Sequence, residues 1–256
     1  MAITKTRKDY VEEVIYVRDH ECLPILNHVR AVLSEQQPYP ETVRLMAVPM
    51  LYSVWERSFS VWTSICLKSI RESTIKAIDC SPEIRAFWLR KADFFKSFID
   101  IIRDVMELER EDSIFQQTSG LSKKITKGGF HLSSKVLGGL DAWHQQPFSS
   151  KQDVKELVLT YSNVNDAVVA VNAEALGLSL MSTYQHLDLS KLGGLVGMRN
   201  AIGHGASLSA PGAREMTELL DYTDSLIAQY ANVVIEWLDT YATPDPVIDQ
   251  EPILPT

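Results

Sequence analysis

Three side chains with complementary chemistry fall within six residues: Arg199, Asn200 and His204. Arginine is a permanent cation whose planar fork matches the oxygens of a phosphate. It can hold a scissile phosphodiester and offset the charge that develops in its transition state. An imidazole has an ordinary pKa of about 6.5, so it can accept or release a proton near neutral pH. Asparagine can fix a hydroxyl, a phosphate oxygen or the histidine tautomer. RNA carries its own nucleophile, the ribose 2′-OH. These three residue types therefore suit RNA cleavage without a metal, leaving a 2′,3′-cyclic phosphate and a 5′-hydroxyl. The bland alternative for such a trio is a helix end, with Asn as a cap and a solvated Arg.

Position decides whether the trio can act together. Asn200 and His204 are four residues apart and share a helix face. Arg199 precedes His204 by five residues, which places it about 140° away at about 100° per residue. Either the helix ends inside the motif, as Gly203 and Gly205 permit, or a second copy of the chain completes the site across a two-fold axis. The glycines at 193, 194 and 197 could let two helices approach closely.

The surrounding sequence reads as helix almost throughout. Hydrophobic residues make up 45% and charged residues 23%, an ordinary globular balance. A first helix is expected from about Asp9 to Glu35, kinked at Pro24. A second runs from about Glu41 to Glu72, apolar nearly all round and so central to a bundle, with a bend at Pro49. Ser81, Pro82 and Glu83 mark a helix start, and Asp93–Glu109 is amphipathic. Residues 113–150 lose the periodicity and read as an insertion. Ser149 and Ser150 are expected to cap a helix reaching about Leu176, and Asp188 a short helix over about Leu189–Gly203. The last helix is expected over Ala213–Tyr241. The fold class is all-α, an antiparallel helical bundle in one domain over residues 1–242, followed by a Pro-rich tail over 243–256.

Composition also narrows the function classes. No run of eighteen apolar residues suggests a membrane span, and the polar, basic first nine residues lack the apolar core of a signal peptide. The three cysteines (Cys22, Cys66, Cys80) lack CxxC spacing, which argues against a disulfide framework or zinc site and fits a cytoplasmic setting. No metal and no cofactor is expected: His20 and His28, His131 and His144 show no ligand spacing. No phosphate-binding or dinucleotide-binding glycine motif is present, and no nucleophile elbow. The net charge of −8 weighs against broad nucleic-acid affinity. Lys123, Lys124 and Lys127 lie in the clearest basic segment, 119–135, and are candidates for an RNA-binding patch or a solvated loop. Glu56 sits on the central helix, where a buried carboxylate needs a partner; Arg199 or His204 would bring it into the site, Arg57 would not.

The run Arg199 to Gly205, RNAIGHG, resembles the RN-x-x-x-H motif of the HEPN superfamily, with its apolar lead-in at Leu192, Leu195 and Val196. Residues Met50 to Phe59, MLYSVWERSF, are similar to the apolar Trp-Glu helix of the MAE-type and RiboL-PSP-type HEPN families. The resemblance implies a helical bundle, a homodimer that pairs two motifs in a cleft, and metal-independent endoribonuclease activity. Many such proteins act as toxins or in phage defence, with an antitoxin or other partner protein. Ala206 stands where some HEPN toxins carry a modifiable Tyr, which speaks against that mode of neutralisation. Two other readings compete: a non-catalytic HEPN-like module binding RNA, a nucleotide or a protein, and a structural helical interaction protein.

Overall fold

The computed structural model describes residues 5–35, 41–73, 75–91, 137–145, 158, 160, 163–205 and 209–241. The lysine segment, the helix expected over Asp93–Glu109, the Ser149 and Ser150 cap and the tail lie outside them. The chain divides into two compact units, Met1–Ser73 with Gln152–Thr256, and Thr74–Lys151. In the second unit α4 (Pro82–Lys91) begins at the expected proline, with Ser81 Oγ accepting from the Ile84 amide at 3.4 Å, and a helical stretch covers 137–144.

The first unit is an all-α bundle. Its elements are α1 (Arg7–Tyr16), α2 (Leu23–Glu35), α3 (Glu41–Glu72), α5 (Asp166–Leu176), α6 (Leu192–Gly203) and α7 (Ala213–Tyr241). No strand occurs among the described residues. α3 lies at the centre: it packs along α7 and also meets α1, α2, α5 and α6. Its 32 residues carry buried side chains around most of the circumference, while Ser53, Arg57, Ser64 and Lys68 mark one face that stays outside the core. Pro49 leaves it a single helix.

The first expected helix differs in its middle. Residues Val17–Cys22 widen into a π-helical segment between α1 and α2, and the Leu23 amide bonds the Arg18 carbonyl five residues back. Pro24 has no amide to offer, and the wide turn ends just before it. At the upstream edge of this segment Trp62 Nε1 donates to the Val14 carbonyl at 3.2 Å.

Buried indoles tie the core to the connections. Besides Trp62, Trp55 Nε1 donates to the Val164 carbonyl at 3.0 Å and Trp237 Nε1 to the Leu176 carbonyl at 2.8 Å. Each indole thereby satisfies its own donor and an acceptor outside its helix. Tyr230 of α7 packs against the rings of Trp55, Phe59 and Trp62, and its hydroxyl meets Thr63 Oγ1 at 2.8 Å.

A second stripe of α7 positions the approach to α6. Tyr222, Gln229 and Glu236 are seven apart, so they recur on one helix face. Tyr222 donates to the Asp188 carbonyl at 3.0 Å, and Gln229 Oε1 accepts from the Asp188 amide at 2.8 Å. The Glu236 carboxylate accepts from the amides and hydroxyls of both Ser182 and Thr183, at 2.5–2.9 Å. The Thr183 hydroxyl and amide, then Ser182, pull its pKa down to about 2. A lowered folded-state pKa contributes stability that is complete above the ordinary carboxylate range and is lost as pH falls through about 2. Glu236→Gln is therefore expected to lower the melting temperature at pH 7, and the two melting curves are expected to converge between pH 4.5 and 2; a constant gap across that range would contradict the clamp.

Two helix starts correct the sequence reading. The helix that ends at Leu176 begins at Asp166, because Asn165 Oδ1 accepts from the Val168 amide at 3.0 Å and caps it, while the start expected at Lys151 lies outside the described residues. The short helix begins at Leu192 without a side-chain cap. Asp188 Oδ1 takes the Ser190 amide two residues on, at 2.9 Å, and so makes a local turn in place of a cap.

Candidate active site

α6 ends inside the motif. Gly203 is its last residue, and the His204 amide still bonds the Asn200 carbonyl at 2.9 Å. Gly205 then adopts φ +67°, where a side chain would be strained, and its amide closes on the Ile202 carbonyl at 3.1 Å. His204 thus sits at the helix end, exposed to solvent. Among the described residues its imidazole has no hydrogen-bond partner.

Arg199 and Asn200 are joined directly. Arg199 Nη1 donates to Asn200 Oδ1 at 3.0 Å and to Asn163 Oδ1 at 3.3 Å. The first bond engages the oxygen of the Asn200 carboxamide, leaving its amino group as a donor. The Arg199 guanidinium lies over the Tyr52 ring, with Cζ 5.0 Å from the centroid, a cation–π contact. All these partners are neutral. By contrast Arg7, Arg18, Arg30, Arg57 and Arg214 are each paired with a carboxylate.

Glu56 is half-buried and, among the described residues, pairs with none of Arg199, His204 and Arg57. Its Oε1 accepts from the Tyr52 hydroxyl at 3.3 Å, while Arg57 pairs with Glu21 at 2.8 Å. Among the described residues Tyr52 is what links Glu56 to Arg199. Burial, more than the Glu56 charge, raises the Tyr52 pKa, and the Val164 amide and the Arg199 charge oppose the rise.

Tyr52 and Asn163 were not among the sequence candidates. Tyr52 had a signal, since it precedes Glu56 by one helical turn. Asn163 had none, because its contact with Arg199 spans 36 residues. Among the described residues no helix packs against the glycines: a Cβ at Gly193, Gly194 or Gly197 would meet nothing within 4 Å. Among the described residues no three His, Cys, Asp or Glu side chains group as a metal site requires, and no helix is long and apolar enough to cross a membrane.

A family model described as HEPN_MAE_28990-like HEPN matches residues 25–242. The chain belongs to the MAE-type HEPN family. The match takes in α3 and α6, and so both parts of this HEPN protein's candidate site. No significant match to a curated protein or to a solved structure was found.

Proposed function

We propose that this HEPN protein is an endoribonuclease that cleaves RNA without a metal, at a site built from Arg199, Asn200 and His204. The observation that carries this reading is the state of Arg199. It is held by two neutral carboxamides and an aromatic face, with no carboxylate paired to it among the described residues. A guanidinium held this way keeps its charge for an anion. In a chain of net charge −8, such a local cation is what a phosphodiester would need.

In the proposed reaction the ribose 2′-oxygen forms a bond to phosphorus and the bond from phosphorus to the 5′-oxygen breaks. One imidazole takes the 2′-OH proton and a second gives a proton to the departing 5′-oxygen. Arg199 and the Asn200 amino group hold the phosphate. The second imidazole is His204 of another copy. Support for a homodimer comes from the open glycine face of α6, which costs about 1 kcal/mol per helical glycine relative to alanine and returns no packing among the described residues. Lys123, Lys124 and Lys127 would add phosphate contacts, and Glu56 would act on the site through Tyr52. A toxin or phage-defence role, in the cytoplasm and with an inhibitory partner protein, belongs to the same proposal.

The test is incubation of total RNA and a tRNA pool with the protein in excess EDTA, wild type beside Arg199→Ala. Cleavage by wild type alone, with the variant lower by about 10²–10³-fold, is expected from the loss of an electrostatic stabiliser of the transition state. Equal cleavage by both would place the site elsewhere. RNA binding without cleavage would favour the non-catalytic module.

A further inference from the structure

Tyr52 acts on Arg199 in three ways. Its ring lies 5.0 Å beneath the guanidinium carbon. Its hydroxyl also accepts from the Val164 amide at 2.9 Å, while Trp55, one turn further along α3, donates to the Val164 carbonyl at 3.0 Å. Both polar groups of Val164 are thus taken by side chains of one helix. That fixes the backbone next to Asn163, whose own carbonyl accepts from the Asn165 amide at 3.1 Å. Asn163 Oδ1 is then delivered to Arg199 Nη1. A third effect is electrostatic. The Tyr52 hydroxyl donates to Glu56, and the two charges lie on either side of a neutral phenol. Among the described residues Glu56 and Arg199 make no ion pair.

We propose that Tyr52 and Asn163 are positioning residues for Arg199. The ring below and the carboxamide on Nη1 hold the guanidinium so that its Nε and Nη2 edge meets a phosphate of the RNA backbone. Both hydrogen bonds to Arg199 fall on Nη1, so the opposite edge carries no protein partner among the described residues. That edge has the fork geometry a phosphate takes in two parallel bonds. Holding it in place before substrate arrives removes a reorganisation step from the reaction. This inference rests on the nuclease reading above and specifies how its phosphate is held.

The experiment has two arms. In the first, kcat and KM for RNA cleavage are measured for wild type, Tyr52→Phe, Tyr52→Leu and Asn163→Ala. Asn163→Ala and Tyr52→Leu are expected to lower kcat by about 10–10²-fold with KM changed much less, the size of effect a misplaced group produces. Tyr52→Phe keeps the ring under Arg199 and is expected to recover part of the Tyr52→Leu loss. The second arm needs no activity: nitrogen-15 NMR of the arginine side chains, with Arg199 assigned by its disappearance in Arg199→Lys. Hindered rotation about the Cζ–Nη1 bond is expected in wild type and faster rotation in Asn163→Ala, where the Asn200 bond alone remains on Nη1; the Nε shift is expected to move in Tyr52→Leu. Unchanged Arg199 signals in both variants would overturn the positioning role, whether or not the protein cleaves RNA. A wild-type kcat in both variants, beside an inactive Arg199→Ala, would also overturn it. Wild type without cleavage would count against the nuclease reading alone, and the Arg199 signals would then decide the positioning.

Discussion

His204→Ala is expected to lower RNA cleavage by about 10²–10⁴-fold and to leave the melting temperature unchanged. The activity loss follows from the role of a general acid–base, whose removal commonly costs that much. The unchanged stability follows from position. His204 lies beyond the last residue of α6, is exposed to solvent, and contributes to the helix through its backbone amide. Alanine makes the same backbone bond. The two outcomes together separate a chemical role from a structural one. A variant that is equally active would mean that proton transfer lies elsewhere, and a variant that melts early would mean that the imidazole supports the fold. In a homodimer whose cleft draws one imidazole from each copy, mixing His204→Ala chains into wild type bears on the composite site: a mixed dimer holds a single imidazole, so cleavage is expected to fall below the share of wild-type chains.

The largest effect on stability is expected at Trp55. Its side chain is fully buried, packs against Phe59 and Tyr230, and donates to the Val164 carbonyl. Trp55→Ala removes that volume and is expected to cost about 3–5 kcal/mol, as large-to-small core changes of aromatic residues do. Against a total stability of about 5–15 kcal/mol such a loss approaches unfolding. Trp55→Phe is the more informative variant. It keeps most of the ring packing but leaves the buried Val164 carbonyl without its indole donor, a loss of about 1–3 kcal/mol. That carbonyl lies next to Asn163, so the same substitution is expected to reduce cleavage under conditions where the protein is fully folded. Denaturant unfolding of the three proteins, read by circular dichroism, measures the stability terms. A Trp55→Phe protein as stable as wild type would mean that the indole bond to Val164 contributes nothing.

The elements that carry the motif were legible because their signals are local. Ala213–Tyr241 and the start at Pro82 follow from a proline, a glycine and an apolar stripe within a few residues. The central place of α3 follows from apolar residues around most of its circumference. The end of α6 within the motif was one of two options that Gly203 and Gly205 left open. What the sequence hid is the holding of Arg199. The Tyr52–Val164 and Trp55–Val164 bonds span 112 and 109 residues, and no periodicity reports a contact of that range. Asn165 was a missed local signal. An Asn before Asp166 and a Val pair is a good helix cap, but the apolar stretch around it reads as uninterrupted helix. Asp188 shows the converse. Its type suits a cap, yet its carboxylate reaches the amide two residues on before a helix can begin. Glu56 was recognised as needing a partner, but the partner is a phenol one turn away.

In the proposed reaction this HEPN protein cuts RNA by attack of the ribose 2′-OH, with Arg199 and His204 at the scissile phosphate. The most direct measurement is the chemistry of the ends that the wild-type protein leaves on a single defined RNA in excess EDTA, beside the same RNA with 2′-O-methyl riboses. Ends carrying a 2′,3′-cyclic phosphate and a 5′-hydroxyl are expected on the first, and no cutting of the second. Ends with a 3′-hydroxyl and a 5′-phosphate, or equal cutting of the 2′-O-methyl RNA, would contradict it.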